Sequence, residues 1–332
     1  MSKTAMITGA GGQDAAWLAK LLLSKGYRVC GTVRRHSVAE TQDWRLKQLG
    51  IADQVETCYA DLTDYGSIVD AVQRFEPDEI YHLASMSHVR VSFDKPVYTE
   101  QVNAGGTLHV LEAYRKFAPK AKFYFAASSE MFGRSVDPDG YQRLTTPFDP
   151  VSPYGAAKVF GYHLTRHYRR AYGLFAVNGI LFNHTGPLRG SSFVEAKIVK
   201  TAVQIKRGLK DTLVLGNVDS KRDWGDSRDY VRAMWAMLRA QEPTDWLIAS
   251  GTTRSVQCVC EMVFRMLGLD CCEYVERDKR YVRPEELPVL RGDAIKAKTF
   301  LGWEPMYSFQ QTLREMVDHW EGVFDGKDMV QG

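Results

Sequence analysis

Residues Thr8-Gly9-Ala10-Gly11-Gly12-Gln13-Asp14-Ala15 constrain this chain more than any other stretch. They follow an apolar run, Thr4-Ala5-Met6-Ile7-Thr8, and open a segment, residues 16–24, with leucines at helical spacing. A strand, a glycine-rich turn and a helix in that order predict a phosphate-binding turn. Gly9 permits the tight bend, Gly12 lets backbone N–H groups approach a pyrophosphate, and Ala15 is small where helix meets sheet. The N-terminus of the helix, where Gln13 and Asp14 are expected to meet the cofactor, adds partial positive charge beside the phosphates. The plain alternative is a glycine turn that only joins strand to helix.

Strand and helix signals then alternate. Arg28-Val29-Cys30-Gly31-Thr32-Val33 and Gln54-Val55-Glu56-Thr57-Cys58-Tyr59 predict a second and a third strand. Asp78-Glu79-Ile80-Tyr81-His82-Leu83 and Lys122-Phe123-Tyr124-Phe125-Ala126-Ala127 predict a fourth and a fifth. Residues 65–75 and 98–117 read as helices between them. Apolar strands alternating with helices imply an α/β fold, a parallel sheet covered on both faces, and right-handed crossovers make it doubly wound. Past Gly179 the rhythm changes: residues 182–192 are turn-rich, 193–206 look helical, and 219–225 are basic with Trp224. The division expected is a dinucleotide-binding Rossmann domain over residues 1–180, to which later segments return, and a smaller mixed α/β substrate domain over 181–332.

The 332 residues fit roughly two domains at ~150 residues each. Hydrophobic residues at 45% and charged residues at 25% argue against a disordered chain. A net charge of +3 is too small to make nucleic acid or an acidic membrane the main partner. No apolar run reaches the ~20 residues that cross a bilayer, and the start lacks a secretory apolar region. A cytoplasmic protein is expected. Six cysteines are too sparse for a disulfide scaffold. Cys258-x-Cys260 and Cys271-Cys272 lack the Cys-x-x-Cys reach and a nearby histidine, so reduced core thiols and no metal are expected.

The end of the second strand selects among dinucleotides. An acidic residue there accepts from the adenosine ribose in NAD binders. This chain has Arg34 and Arg35 in Thr32-Val33-Arg34-Arg35-His36-Ser37, and two guanidiniums suit a 2′-phosphate. NADP is favoured, with a solvated basic loop as the alternative. Asp61 and Leu62, after the third strand, could border the adenine. Tyr154 and Lys158 lie four residues apart after Ser152-Pro153, so a helix starting there puts both on one face. An ammonium near a phenol favours phenolate, which would make Tyr154 a base. Tyr-x-x-x-Lys is common by itself. Here it follows a fifth strand ending in Ser128-Ser129-Glu130, at the sheet edge where such folds bind ligands. Ser128 could hydrogen-bond a reacting oxygen, and Glu130 is a proton carrier that simple hydride transfer does not require.

These residues resemble the extended short-chain dehydrogenase/reductase superfamily and, more closely, the GDP-mannose 4,6-dehydratases. The likeness runs from Ala5 to about Met316. Besides the glycine turn and Val33-Arg34-Arg35, it rests on Ser87-His88-Val89, Ser152-Pro153-Tyr154-Gly155-Ala156-Ala157-Lys158 and Asn178-Gly179-Ile180-Leu181-Phe182-Asn183-His184. It continues through Gly216-Asn217-Val218-Asp219, Lys221-Arg222-Asp223-Trp224-Gly225 and Arg283-Pro284-Glu285. The resemblance implies a redox-neutral dehydration of a GDP-linked hexose, most directly GDP-mannose, with NADP recycled in each turnover. Tyr154 would take the 4-hydroxyl proton as hydride leaves C4. Lys158 would hold the nicotinamide ribose and depress the Tyr154 pKa. Ser128, where the family usually has threonine, would bond the C4 oxygen. Glu130 would remove the C5 proton before water leaves C6, to which the hydride returns. Leu83, Ser85 and His184 fall to the cofactor, and Ser87, Asn183, Arg222, Arg283 and Glu286 to the sugar and diphosphate. Lys197, Gly216 and Asn217 match positions near the base or its ribose.

Three features depart from the family pattern. Asn183-His184-Thr185-Gly186-Pro187 replaces Asn-His-Glu-Ser-Pro, Ala84-Ser85-Met86-Ser87 replaces Ala-Ala-Gln-Ser, and Ala15 replaces a glycine. The first looks like the related reductases and epimerases, which leaves an NADPH-dependent reductase or epimerase of a nucleotide-linked keto-sugar as the alternative. A non-catalytic dinucleotide sensor is the other, and Ser128, Tyr154 and Lys158 together argue against it. The resemblance also implies a homodimer formed by helices 98–117 and 153–172, or a homotetramer in which the loop 34–37 reaches a neighbouring subunit.

Overall fold

The computed structural model describes residues 2–35 and 42–326. Six strands come from the first half: β1 (Thr4–Thr8), β2 (Arg28–Val33), β3 (Val55–Tyr59), β4 (Glu79–His82), β5 (Lys122–Ser128) and β6 (Ala176–Leu181). The later strands are β7 (Asn183–Thr185), β8 (Leu213–Leu215), β9 (Lys221–Asp226), β10 (Asp245–Ile248), β11 (Thr253–Ser255), β12 (Val275–Arg277) and β13 (Val289–Leu290). The first-half helices are α1 (Gln13–Ser24), α2 (Trp44–Gln48), α3 (Tyr65–Phe75), α4 (Val89–Asp94), α5 (Pro96–Glu100), α6 (Gly106–Phe117) and α7 (Pro153–Tyr172). The later ones are α8 (Val194–Lys206), α9 (Ser227–Met237), α10 (Val256–Met266), α11 (Ile295–Leu301) and α12 (Phe309–Phe324).

The main sheet has the order β10-β6-β5-β4-β1-β2-β3 and is parallel throughout. Every residue of β4 and β6 is buried, because helices cover both faces and leave no solvent side to alternate with. One face packs Ile68, Val72 and Phe75 of α3 and Val110, Leu111 and Tyr114 of α6 against Met6, Ile80, Phe123 and Phe125. The other packs Ala15, Leu18 and Leu22 of α1 and Val231, Met234 and Met237 of α9 against Ile7, Val29 and Val177. From β1 the order runs outward to β2 and β3 on one side and to β4, β5 and β6 on the other. That reversal opens a crevice at the carboxyl ends of β1 and β4, where doubly wound sheets bind ligands.

β10 joins this sheet late in the chain, pairing Asp245 with Asn178 and Ile248 with Leu181. Buried Asp245 accepts hydrogen bonds from Tyr162, Asn178 and Arg169 at 2.9–3.1 Å, which fixes that edge. A separate core lies among α8, α10 and α12, with Val199, Phe264, Leu313 and Trp320 at its centre. β9 pairs with β7, β11 and β13 and carries the 219–225 stretch between the main sheet and this core.

One helix differs from expectation. Residues 98–117 are not a single regular helix, since a π-helical turn, Gln101–Gly105, separates α5 from α6. The extra residue turns Asn103 inward. Its side chain accepts from Ser85 Oγ at 3.0 Å and Met86 N at 2.8 Å, and donates to Met86 O at 3.0 Å. Such bulges persist where they satisfy a specific contact, and this one fastens the segment that leaves β4.

Candidate active site

The glycine turn sits at the crevice. Gly9 has φ +74°, and a Cβ there would lie 2.9 Å from Ala84 Cα, so glycine is required on both counts. Thr8 Oγ1 accepts from Leu83 N and Ala84 N at 3.1 and 3.0 Å, tying the ends of β1 and β4 together. Gly12 caps α1 with no side-chain bond, so the first N–H groups of that helix are left for an anion. Gly9→Ala is expected to lower the unfolding midpoint, since a left-handed alanine costs roughly 1–2 kcal/mol, and to remove the upward shift that added dinucleotide produces. Thermal unfolding with and without dinucleotide checks this, and two unchanged midpoints would contradict it.

Asp14, the second residue of α1, accepts from His184 Nε2 at 2.8 Å, and Gln13 Nε2 donates to its other oxygen at 3.0 Å. Burial works against this carboxylate, but the charge and hydrogen bond of His184 outweigh it and hold its pKa below the usual value. His184 also bonds Phe182 O at 2.7 Å and stacks on Tyr230 at 4.3 Å. The start of α1 is therefore locked to β7.

Ser152 caps α7, accepting from Gly155 N at 3.0 Å, with Pro153 in the first turn. That start places Tyr154 and Lys158 on one buried face. The Tyr154 hydroxyl faces the Ser128 side chain, whose hydroxyl favours the phenolate. Ser128 ends β5 and accepts from Glu130 N at 3.3 Å, which turns the chain so that buried Glu130 enters the same cleft. The Glu130 carboxylate lies 3.6 Å from Arg283 Nη1. Burial pushes the Tyr154 phenol up to about 12 despite the Ser128 hydroxyl, and pushes the Lys158 ammonium down to about 7. The expected lowering of Tyr154 by Lys158 is thus corrected. Lys158 Nζ is turned to Ala126 O at 2.9 Å and lies 5.7 Å from the Tyr154 ring centroid, and burial dominates both groups.

A cavity of about 480 Å³ joins these parts. The side next to the glycine turn is lined by Gly9, Gly12, Gln13, Asp14, Leu83 and Ser85, and Lys158 and His184 also line the cavity. Ser87, Ser128, Glu130, Tyr154 and Asn183 line its middle, and Arg222, Arg283 and Glu286 follow. Lys197, Gly216 and Asn217 line the far end. Gln13 Oε1 and Asn183 Oδ1 are buried and have no hydrogen-bond partner among the described residues. An open helix N-terminus, unmatched amide oxygens and two guanidiniums fit a dinucleotide beside a second phosphorylated ligand.

Arg222 is almost fully buried and donates to Lys221 O and Leu287 O, each at 2.9 Å, and burial holds its pKa below the usual value. The Arg283 N–H donates to Glu286 Oε1 at 3.1 Å, which bends the 283–286 segment toward the cleft. Asn217 reaches the cavity with its amide oriented by its own turn, accepting from Asp219 N at 2.9 Å and donating to Ser220 Oγ at 2.8 Å.

Four expected cofactor contacts lie outside the cavity wall. Arg34 and Arg35 are exposed beyond β2, the first bonded to the Tyr98 hydroxyl and the second 5.6 Å from the Tyr59 ring. Asp61 accepts from Thr63 N and Oγ1 at 2.9 and 2.8 Å, and buried Leu62 packs against Gly106. His36 and Ser37 fall outside the described residues. Among the wall residues to which the sequence reading gave no site role are Arg45, His88, Arg189 and Tyr281. Arg45 donates to Gly11 O at 2.7 Å and Leu188 O at 2.8 Å, so it clamps the glycine turn from a segment to which no element had been assigned.

Of the departures from the family pattern, Ala15 and Ser85 line the cleft, while Met86, Thr185 and Gly186 do not. Met86 packs into the core with its backbone held by Asn103 and is absent from the cavity wall. Thr185 is buried against Met316, and a Cβ on Gly186 would meet Ser227 Oγ at 2.9 Å. The cysteines are all free, with Cys30, Cys260 and Cys271 buried. Among the described residues no helix is long and apolar enough to cross a membrane.

The doubly wound sheet, the glycine turn and a Ser128–Tyr154–Lys158 cleft at its carboxyl edge define an extended short-chain dehydrogenase/reductase. The structure is similar over 96% of this chain to a UDP-glucose 4-epimerase of Thermus thermophilus solved with NAD, with TM-score 0.83, 25% identity and 99% of that chain covered. A sequence profile for the family described as GDP-mannose 4,6 dehydratase matches residues 6–316. GDP-mannose 4,6 dehydratase 2 of Arabidopsis thaliana is 46% identical over 326 residues, covering 95% of this chain and 86% of the relative. The GDP-mannose 4,6 dehydratase of Homo sapiens is 42% identical over 336 residues, covering 94% and 90%. This chain belongs to the GDP-mannose 4,6-dehydratase family.

Proposed function

We propose that this enzyme converts GDP-mannose to GDP-4-keto-6-deoxymannose with NADP held at the glycine turn. The observation that carries the reading is the convergence of Ser128, Glu130 and Tyr154 in the cleft that begins at that turn. The chemistry a nicotinamide ring supplies when bound there is the acceptance of hydride from C4 and its return to C6. Tyr154 takes the proton of the 4-hydroxyl, and Ser128 holds the oxygen as it becomes a carbonyl. The C5 proton is then acidified by the adjacent ketone. Glu130 removes it, and water leaves from C6. Lys158 holds the nicotinamide ribose from the base of the cleft, and His184 and Asp14 fix that end of it. Asn183, Arg222 and Arg283 take the diphosphate, whose two charges suit paired guanidiniums. Burial of Tyr154, Lys158 and Glu130 excludes water from a reactive enone.

The match of residues 6–316 to the GDP-mannose 4,6 dehydratase family supports this dehydration over a reductase or epimerase reading. Purified protein given GDP-mannose and a catalytic amount of NADP should form keto-sugar with no net change in the dinucleotide's near-ultraviolet absorbance. A requirement for stoichiometric NADPH and a preformed keto-sugar would overturn the reading.

NADP rather than NAD is proposed from the two guanidiniums beyond β2. Replacing Arg34 and Arg35 together with Ala is expected to weaken NADP binding by about 10–100-fold, through lost charge-assisted bonds to the 2′-phosphate, and to leave NAD binding within about threefold. Titration of both dinucleotides checks this, and equal losses would contradict it. Val97 and Tyr98 on α5, Leu108 on α6 and Phe160 on α7 are exposed. We read that surface as the homodimer contact, with a tetramer built on it. Light scattering of the purified protein gives the mass that tests it.

A further inference from the structure

The geometry points to Tyr281 as the platform on which the nucleobase of the sugar nucleotide stacks, a role that rests on the reading above and that the sequence did not reveal. With sugar at Ser128 and Tyr154 and diphosphate at Arg222 and Arg283, the base falls at the far end of the cavity. The wall residues on and beside β8 there include Leu215, Val256 and Tyr281 as well as Lys197 and Asn217. Tyr281 is 53% exposed, so part of its side chain is open to a ligand.

The ring is built into place. β12 pairs with β8 through Arg277 and Leu215, and Asp278 N donates to Leu215 O at 2.8 Å. Asp278 then caps the short turn Lys279–Tyr281, accepting from Arg280 N at 2.9 Å. A Cβ on Gly216 would lie 2.6 Å from Tyr281 C and O, so the glycine at 216 lets the Tyr281 backbone close on β8. Lys197 supports the ring on one face. Its Nζ donates to Val214 O at 2.7 Å and lies 4.4 Å from the ring centroid. The cation polarises the ring from that face and leaves the other for a planar base. Asn217, the polar neighbour, is held by its own turn, with one amide N–H and one oxygen lone pair left over for a ligand. Gly216 and Lys197 act through Tyr281 as positioning residues.

Calorimetric titration of GDP and of inorganic pyrophosphate into wild type, Tyr281→Phe and Tyr281→Ala tests this. Loss of base stacking should weaken GDP by about five- to 150-fold in Tyr281→Ala, with pyrophosphate within about twofold of wild type. Tyr281→Phe, which keeps the ring, should stay near wild type for both. The KM for GDP-mannose should rise with the GDP dissociation constant while kcat holds. Wild-type GDP affinity in Tyr281→Ala would overturn the platform and leave the dehydratase reading standing. Equal losses of GDP and pyrophosphate would overturn it too, since they mark a collapsed loop. A wild-type protein that binds pyrophosphate but not GDP, and makes no keto-sugar, would overturn both.

Discussion

Tyr154→Phe is expected to cut keto-sugar formation from GDP-mannose by about 10²–10⁴-fold, the range for loss of a positioned acid–base group. The ring stays, so core packing around α7 and dinucleotide affinity should change little. The wild-type pH profile follows from two buried groups. Tyr154 lies at about 12 and Lys158 at about 7. Below pH about 7 both carry their protons, and the pair must lose one before phenolate can stand beside an ammonium. The rate should therefore rise about tenfold per pH unit up to neutrality. Between about 7 and 12 the pair holds one proton, and the phenolate–ammonium arrangement is a constant share of that form. A level profile follows. A rate that fell steadily from pH 7 to 9 would contradict the assignment.

Glu130→Gln should separate the two halves of the reaction. Gln keeps the shape of the side chain but cannot take a proton, so loss of water from C6 should slow by about 10²–10⁴-fold. Oxidation at C4 needs only Tyr154 and Ser128. After acid quench the variant should yield a 4-keto hexose that still carries its 6-hydroxyl, which wild type should not accumulate. In deuterated water the wild-type product gains deuterium at C5 as Glu130 exchanges its proton with solvent, and the variant should show little. A variant that formed 6-deoxy product at the wild-type rate would remove Glu130 from the mechanism. Loss of C4 oxidation together with dehydration would assign it to folding or binding. Arg283, 3.6 Å away, gives the carboxylate its orientation, so gross rearrangement is not expected from a neutral isostere.

The parts of the fold that follow local rules were legible in the sequence. The glycine turn, the apolar strands and the Ser152-Pro153 start of α7 each rest on a few adjacent residues, and the structure has them at or within a few residues of the expected bounds. Tyr154 and Lys158 shared a face because helix geometry dictates it. Residues set by distant approach were not legible. Arg45 lines the cleft because Leu188 O, 143 positions away, accepts from it. The bond from Asn217 to Ser220 that orients its amide depends on a turn that the sequence reading did not register. The π-turn at 101–105 depends on a bond between Asn103 and a loop after β4, which no periodicity records. Tyr281 gave no signal because its exposure and its support by Lys197 depend on β8 and β12 pairing. The lowered phenol pKa inferred from spacing failed for a similar reason, since spacing shows neither burial nor the turn of Lys158 toward Ala126.

The claim on which everything rests is that one closed cleft oxidises C4 and reduces C6 of the same sugar. GDP-mannose carrying deuterium at C4, mixed with an equal amount of unlabelled substrate bearing ¹³C in the hexose, tests it in a single turnover experiment. The label should appear at C6 of ¹²C product only, with none in ¹³C product and none in water. Deuterium at C6 of ¹³C product, or deuterium lost to solvent, would show that the reducing equivalent leaves the cleft and would contradict the account.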